Sequence, residues 1–166
     1  MKTIAFSALL LSGIAALAAW ADEPATDLIA RGEYLATIMD CAGCHMPRGA
    51  DGAPQPQAGL SGGPVGFEIP GMGTFWPPNL TPSASGLGDW SDAEIAAAIT
   101  TGTKPDGRTL APAMPWPSYA VLDPADVDAL IAFLRSRQPV ESNRVDPIGP
   151  GEDAPAPFYR VVMPQN

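Results

Sequence analysis

Histidine, cysteine and positive charge are scarce in this sequence. Its 166 residues include one histidine, two cysteines, and nine Lys and Arg against 18 Asp and Glu, which gives a formal net charge of −9. The histidine and cysteines supply three good ligands, fewer than the four that a structural zinc ion needs. The negative charge repels nucleic acid and anionic lipid, so proteins with basic patches are the favoured partners.

Proline and glycine are abundant, with 20 and 17 residues. Both interrupt regular elements, so much of the chain is predicted to form turns and loops. The length suits one domain, which we expect over residues 22–137, followed by an extended proline-rich tail over residues 138–166. A loop-rich chain with a modest apolar core usually carries an additional stabilising group.

The N-terminal segment has the pattern of a secretory signal peptide. Lys2 gives it a positive start, residues 4–19 form an uncharged apolar run, and Ala19-Trp20-Ala21 resembles a cleavage site. We expect cleavage after Ala21, which removes residues 1–21 and places the mature protein in the periplasm. The alternative is an uncleaved membrane anchor, because an apolar run of about 16 residues can nearly span a bilayer. We expect no membrane span after cleavage.

A first helix is predicted over residues 26–40. Leu28, Gly32, Leu35 and Met39 lie on one face of it at helical spacing. Glycine inside a helix costs about 1 kcal/mol relative to alanine. Gly32 is therefore either a tolerated glycine or the place where another helix crosses closely, and we favour the crossing.

Two further helices are predicted after a long loop over residues 46–90, which is too rich in proline and glycine to be regular. Ser91 and Glu94 form a capping box that begins the second helix, and Gly102 ends it. A proline-rich loop over residues 103–117 follows.

The last helix is predicted to begin at Asp123. Asp123 is expected to cap it, Pro124 to take the first position and Asp126 to favour the dipole. Its apolar stripe consists of Val127, Leu130, Ile131 and Leu134, and Arg135 and Arg137 close it. The tail is expected either to wrap on the domain or to be loose.

Both cysteines and the histidine lie within Cys41-Ala42-Gly43-Cys44-His45. This is the C-x-x-C-H pattern of c-type haem attachment. Cysteines three positions apart near a helix end point to one side and reach the two vinyl groups of a porphyrin as thioethers. The adjacent histidine then projects toward the iron. The sequence predicts one covalently bound haem c on Cys41 and Cys44, with His45 as an axial iron ligand.

Three other kinds of site compete for the same residues. A disulfide suits an exported protein, but so small a ring is typical of redox-active pairs and not of structural ones. A thioredoxin-like site requires a βαβ context, and the sequence shows no parallel-strand pattern. A zinc site lacks its fourth ligand. Haem attachment alone uses all three scarce residues.

The sixth iron ligand cannot be a second histidine, which leaves methionine, lysine, the amino terminus or an open position. Met114 is the favoured ligand because Pro112 and Pro115 stiffen its loop. Met72, in a flexible Gly-Met-Gly loop, is its rival. The other mature methionines, Met39, Met46 and Met163, are less suited because they lie on a core stripe, beside His45 and near the chain end. Any of these methionines can instead be core filler.

Several motifs resemble class I cytochromes c. They include RGEYL at residues 31–35 before C-x-x-C-H, a methionine loop, and a closing helix with ALIAFLR at residues 129–135. NLTP at residues 79–82, GLGDWSDAEI at residues 86–95 and DGR at residues 106–108 are more particular. They are similar to motifs in the cytochrome c subunits of periplasmic alcohol, aldehyde and sugar dehydrogenases. Those subunits often carry three haem domains and a membrane-binding end, whereas this chain has one haem motif.

The resemblance implies an all-α cytochrome c fold, with three or more short helices around one covalent haem and long Gly/Pro loops. It implies that the first and last helices cross, with Gly32 near Phe133 or Leu130. It also makes four residues candidate contacts of the haem propionates: Asn79, Thr81, Trp90 and Arg108. Ordinary loop capping and core packing are the alternative roles of these four.

The expected function is electron transfer and not catalysis. A periplasmic carrier of this kind accepts one electron from a dehydrogenase and passes it to another cytochrome or an oxidase. The main alternative is a haem enzyme or gas sensor, which requires an open sixth coordination position. A purely structural subunit is a second alternative.

Overall fold

The computed structural model describes residues 25–165. The predicted signal peptide, residues 1–21, lies outside the described residues. The first helix, α1, spans Ala25–Ile38, and the last helix, α5, spans Pro124–Arg135. These two helices pack against each other, and buried side chains from both form most of the core. The core residues are Leu35, Ala36, Leu60, Leu87, Ile95, Val127, Ala129, Leu130, Ile131, Phe133 and Leu134.

The predicted crossing at Gly32 is confirmed. A Cβ atom on Gly32 would lie 2.0 Å from the carbonyl oxygen of Ala129 and 2.7 Å from Cβ of Phe133. No side chain fits in that gap, so the two helix backbones meet where α1 has no side chain. Arg31 adds an ion pair across the same interface, with Nε 2.8 Å from Oδ1 of Asp126.

Three shorter helices complete the helical part of residues 25–165: α2 at Cys41–His45, α3 at Asp92–Thr101 and α4 at Trp116–Tyr119. The predicted capping box of α3 is confirmed, because the backbone N–H of Glu94 donates to Ser91 Oγ and the Glu94 carboxylate accepts from the Ser91 N–H at 2.7 Å. The predicted stop is confirmed too, since Gly102 ends α3 in the left-handed conformation with φ of 68°.

The ends of α5 differ from the prediction in detail. Asp123 occupies the N-cap position, but its side chain makes no capping hydrogen bond. Arg135 does more than place a positive charge at the C-terminal end of α5. Its guanidinium donates to the carbonyls of Leu87 and Trp90 and pairs with Asp92. The last turn of α5 therefore ties the loop before α3 to the core.

A small sheet makes the all-α expectation only partly correct. Strands β1, Gly66–Ile69, and β2, Gly73–Phe75, form an antiparallel hairpin inside the loop that was expected to be irregular. A third strand, β3 at Phe158–Tyr159, pairs with β1 in parallel, giving the order β2-β1-β3. The sequence shows no local signal for a parallel pair joining residues so far apart.

The segment after α5 packs on the domain over much of its length. The backbone of Ile148 pairs with Thr74, and the Trp76 indole N–H donates to the carbonyl of Pro157 at 3.0 Å. The Glu141 carboxylate accepts the backbone N–H groups of Ala84 and Ser85, each at 3.0 Å. Within residues 25–165, no helix combines the length and apolar character that crossing a bilayer requires.

Candidate functional site

The C-x-x-C-H motif forms its own short helix, α2, directly after α1. The chain turns between the two helices at Asp40, which has a left-handed backbone with φ of 54°. The Asp40 carboxylate lies under α2, because a Cβ atom on Gly43 would come within 2.2 Å of its Oδ2. Aspartate tolerates this conformation better than most residues. The turn therefore presents Cys41, Cys44 and His45 together on one helical turn.

The thiols of Cys41 and Cys44 are free and half-buried. Burial raises the pKa of Cys41 to about 11, and burial also raises the pKa of Cys44. Redox-active thioredoxin-like thiols have the opposite shift, because a lowered pKa makes the reactive thiolate. The environment of these two thiols therefore does not favour the thioredoxin-like alternative.

His45 is buried, and one of its two ring nitrogens is committed to the protein. Nδ1 lies 2.8 Å from the carbonyl oxygen of Pro78 and donates to it. Burial lowers the pKa of the imidazole and so favours its neutral form. A neutral ring protonated at Nδ1 has its lone pair on Nε2, the arrangement that a metal-binding histidine needs. Two free thiols beside such a histidine fit the attachment of a haem c.

A glycine pair packs on the end of α2. The backbone N–H of Gly62 donates to the His45 carbonyl at 2.9 Å, and the N–H of Gly63 donates to the Pro77 carbonyl at 3.0 Å. A Cβ atom on Gly63 would lie 1.9 Å from the Cys44 carbonyl oxygen. Only glycine permits this approach. Sequence reasoning missed Gly63 and Pro78, although the Gly-Gly pair and the Pro-Pro pair were visible as signals.

Met114 lies in a tight turn just before α4. Its backbone N–H donates to the Ala111 carbonyl at 3.0 Å, and its own carbonyl accepts the N–H of Trp116 at 2.8 Å. The Trp116 ring covers Gly102, where a Cβ atom would come within 2.6 Å of the ring. The side chain of Met114 is half-buried. Contacts on α3 therefore stabilise the methionine loop from one side.

The far end of α4 reaches the region of the thiols. The Tyr119 hydroxyl donates to the Met39 carbonyl at 3.2 Å, and the nearby Cys41 and Cys44 help burial to raise the pKa of this phenol. Met114 and the C-x-x-C-H helix are thus connected through one short helix. Met72, in contrast, lies in the turn between β1 and β2 and is 52% exposed. That position is less suited to binding a buried iron.

Asn79 and Thr81 belong to a buried polar cluster and are bonded to each other. Asn79 Nδ2 donates to the Val140 carbonyl at 2.7 Å, and the Thr81 hydroxyl lies 2.8 Å from Asn79 Oδ1. The Ser83 hydroxyl donates to the same Val140 carbonyl at 3.0 Å. The N–H donors of Asn79 are therefore already engaged within the chain. Hydrogen bonding to the segment after α5 is the role observed for both residues.

Trp90 and Arg108 make their contacts outside that cluster. Trp90 is half-buried and packs against the apolar core. Arg108 is exposed, and its guanidinium donates twice to Asp106, with the shorter contact at 2.7 Å. This pairing lowers the pKa of Asp106 to about 2. Contact of these four residues with propionates stays a prediction.

A metal-ion site of the zinc type is not found among residues 25–165. No three His, Cys, Asp or Glu side chains in this part of the chain lie together in a way that could hold a metal ion. The chemistry of the site therefore rests on the thiol pair, the imidazole and a candidate thioether.

Comparison with known proteins identifies relatives that match most of this chain. The chain is 42% identical over 127 residues to the gluconate 2-dehydrogenase cytochrome c subunit of Pantoea cypripedii, covering 75% of this chain and 27% of that protein. It is 37% identical over 119 residues to the cytochrome c subunit of a quinone-type alcohol dehydrogenase of Gluconobacter oxydans, covering 70% and 23%.

A third relative is shorter. A diheme c-type cytochrome of Cereibacter sphaeroides is 37% identical over 117 residues, with coverage of 70% of this chain and 38% of that protein. The chain spans about a quarter of the length of the two dehydrogenase subunits. A family model described as Cytochrome c matches residues 29–138, which include C-x-x-C-H, Met114 and the α1–α5 crossing. The chain belongs to the cytochrome c family.

Proposed function

We propose that this chain is a periplasmic electron-transfer protein that carries one haem c. The observation that carries the proposal is the placement of two free thiols on one helical turn with a buried histidine whose Nδ1 donates to the Pro78 carbonyl. Cys41 and Cys44 would hold the haem as thioethers, and His45 would bind its iron through Nε2. A haem c bound in this way supplies reversible one-electron chemistry.

Met114 is the proposed sixth ligand. It is half-buried in a turn stabilised from α3 and α4, whereas its rival Met72 is largely exposed. A thioether opposite a histidine raises the reduction potential of a c-type haem. His45 and Met114 would then both hold the iron, and no coordination position would be left open for a substrate or a gas.

A dehydrogenase is the proposed electron donor, and another cytochrome or an oxidase the acceptor. Support comes from the relatives, which are named as cytochrome c subunits of gluconate and alcohol dehydrogenases. The net charge of −9 favours a basic docking patch on the donor. Transient redox contacts are small, often below about 1,200 Å². We propose an apolar rim for this contact, formed by Pro47, Pro115, Trp116 and Pro117.

Replacement of the two rival methionines tests the ligation. The oxidised wild type is expected to show the weak far-red band of an iron–thioether bond. Met114→Ala should remove the band and lower the reduction potential, and the matched control Met72→Ala should leave both unchanged. The reverse pattern would make Met72 the ligand. Absence of the band in the wild type, together with binding of carbon monoxide, would support an enzyme or sensor with an open position.

Electron transfer itself is tested by stopped-flow mixing with the reduced dehydrogenase from the same organism. The rate should fall as salt rises, because exposed charges are screened beyond about 10 Å at 0.1 M salt. No transfer at any salt concentration would contradict the proposed donor. A rate that is flat in salt but falls with Trp116→Ala would assign docking to the apolar rim instead of to charge.

A further inference from the structure

The Pro78 carbonyl that accepts from His45 lies in a stretch that cannot fix its own position. Pro77 and Pro78 both lack a backbone N–H, so neither can donate to a neighbouring strand. Residues 76–80 belong to no helix or strand. The orientation of this carbonyl must therefore come from segments that pack on either side of it.

One such segment is the loop at residues 60–63. The Gly63 N–H donates to the Pro77 carbonyl at 3.0 Å, and the Leu80 N–H donates to the Leu60 carbonyl at 2.8 Å. These two bonds hold the stretch on the side of α2. They leave its other side to be held from elsewhere.

The segment after α5 supplies contacts that precede Pro78. Thr74 and Ile148 exchange two backbone hydrogen bonds, at 3.0 and 3.1 Å. The buried Trp76 donates its indole N–H to the Pro157 carbonyl at 3.0 Å. Trp76 lies two residues before Pro78, so this bond anchors the entry to the Pro-Pro pair.

The same segment also supplies contacts that follow Pro78. The Val140 carbonyl accepts from Asn79 Nδ2 at 2.7 Å and from Ser83 Oγ at 3.0 Å, and the Val140 N–H donates to Thr81 Oγ1 at 3.2 Å. All three side chains are buried, and Thr81 is 0% exposed. Val140 therefore ties the segment after α5 to a buried polar cluster directly after Pro78.

We propose that residues 140–157, which we term the C-terminal strap, position the Pro78 carbonyl and through it the imidazole of His45. Val140 and Pro157 act as positioning residues, because they hold Asn79 and Trp76 on the two sides of Pro78 and not His45 itself. The inference rests on the proposed function, in which His45 binds the haem iron. It gives the proline-rich segment after α5 a role in the metal site.

Hydrogen exchange of the His45 Nδ1–H, followed by NMR in the reduced haem-bearing protein, tests the strap. Trp76→Phe removes the indole donor and keeps an aromatic ring, and Ser83→Ala removes one donor to Val140. Ser136→Ala is the matched control, because its hydroxyl donates to the Phe133 carbonyl at 2.7 Å, away from the strap. The backbone amide of Leu130 in α5 reports global unfolding in the same samples.

The strap predicts that Nδ1–H exchange rises about tenfold in Trp76→Phe and in Ser83→Ala, while Leu130 exchange does not change. The control should change neither rate. Unchanged His45 exchange in both variants would overturn the strap. An equal rise in the exchange rates of His45 and Leu130 would also overturn it, because that pattern would indicate only a loss of global stability.

Haem content, measured first in every sample by a haemochrome assay, separates this inference from the proposed function. A wild type without covalent haem would overturn the proposed function. Equal haem content in all four proteins, with His45 exchange unaffected by the variants, would overturn the strap and leave the proposed function standing.

Discussion

At the α1–α5 crossing, apolar side chains and one glycine bring two helices together, whereas around Pro78 buried polar side chains depend on hydrogen bonds from distant segments. Leu35, Leu130 and Phe133 are all buried in the first region. In the second, the backbone of Val140 is hydrogen-bonded to three buried polar side chains. The first region sets the frame of the domain, and the second, by our proposal, positions the Pro78 carbonyl that accepts from His45. Their difference suggests that frame and ligand geometry can be perturbed separately.

The largest effect is expected at the helix crossing. Gly32→Ala places a Cβ atom 2.0 Å from the Ala129 carbonyl oxygen, so the helices must move apart. We expect a loss of about 2 to 3 kcal/mol in the free energy of unfolding, although alanine is the better helix former. Urea unfolding measures it. In the exposed control Ala30→Gly the loss should stay near 1 kcal/mol, and equal losses would argue against a close crossing.

A smaller but more local effect is expected beside α2. Gly63→Ala would bring a Cβ atom within 1.9 Å of the Cys44 carbonyl oxygen. We expect a loss of about 2 kcal/mol, accompanied by a lower yield of covalently attached haem. Gly71→Ala is the control, since its Cβ atom meets nothing within 4 Å and only its φ of +78° is unfavourable, which costs about 1 kcal/mol. Normal haem attachment in Gly63→Ala would contradict the close packing on α2.

The smallest effect concerns pH and the tail. Hydrogen bonds from Ser85 and Ala84 lower the pKa of Glu141 below its ordinary value of 4.5. The stabilisation that Glu141 provides is therefore complete at neutral pH. It is lost as the pH falls through the lowered pKa of Glu141 in the folded protein. The amide NMR signals of Ala84 and Ser85 should shift in a titration whose midpoint is that pKa. Glu141→Gln should abolish this transition, and a midpoint at or above 4.5 would contradict the bonding.

The parts of the fold that the sequence predicted are those with local signals. The apolar face containing Leu35, the capping box of Ser91 and Glu94, and the stop at Gly102 each depend on residues close together in the chain. The pairing of β1 with β3 joins residues about ninety positions apart and has no such signal. Asp123 shows the limit of a local rule, since it takes the N-cap position without making the capping bond.

The candidate site likewise has a part that local sequence predicts and a part that depends on the folded backbone. The C-x-x-C-H motif was recognisable from residue types and spacing alone, and the structure adds why it is well placed. The left-handed turn at Asp40, the close approach of Gly63 and the Pro78 carbonyl depend on the folded backbone. Contacts that span the chain, such as Val140 with Asn79, cannot be read from a sequence period.

The proposed electron transfer depends on Cys41 and Cys44 together holding one haem. Intact mass spectrometry of the denatured protein, produced in a host that matures c-type cytochromes, tests it most directly. The wild type should retain the mass of one haem through acid-acetone extraction, and the double variant Cys41→Ser/Cys44→Ser should retain none. A wild type that loses its haem on extraction, or one that carries two, would overturn the proposed attachment.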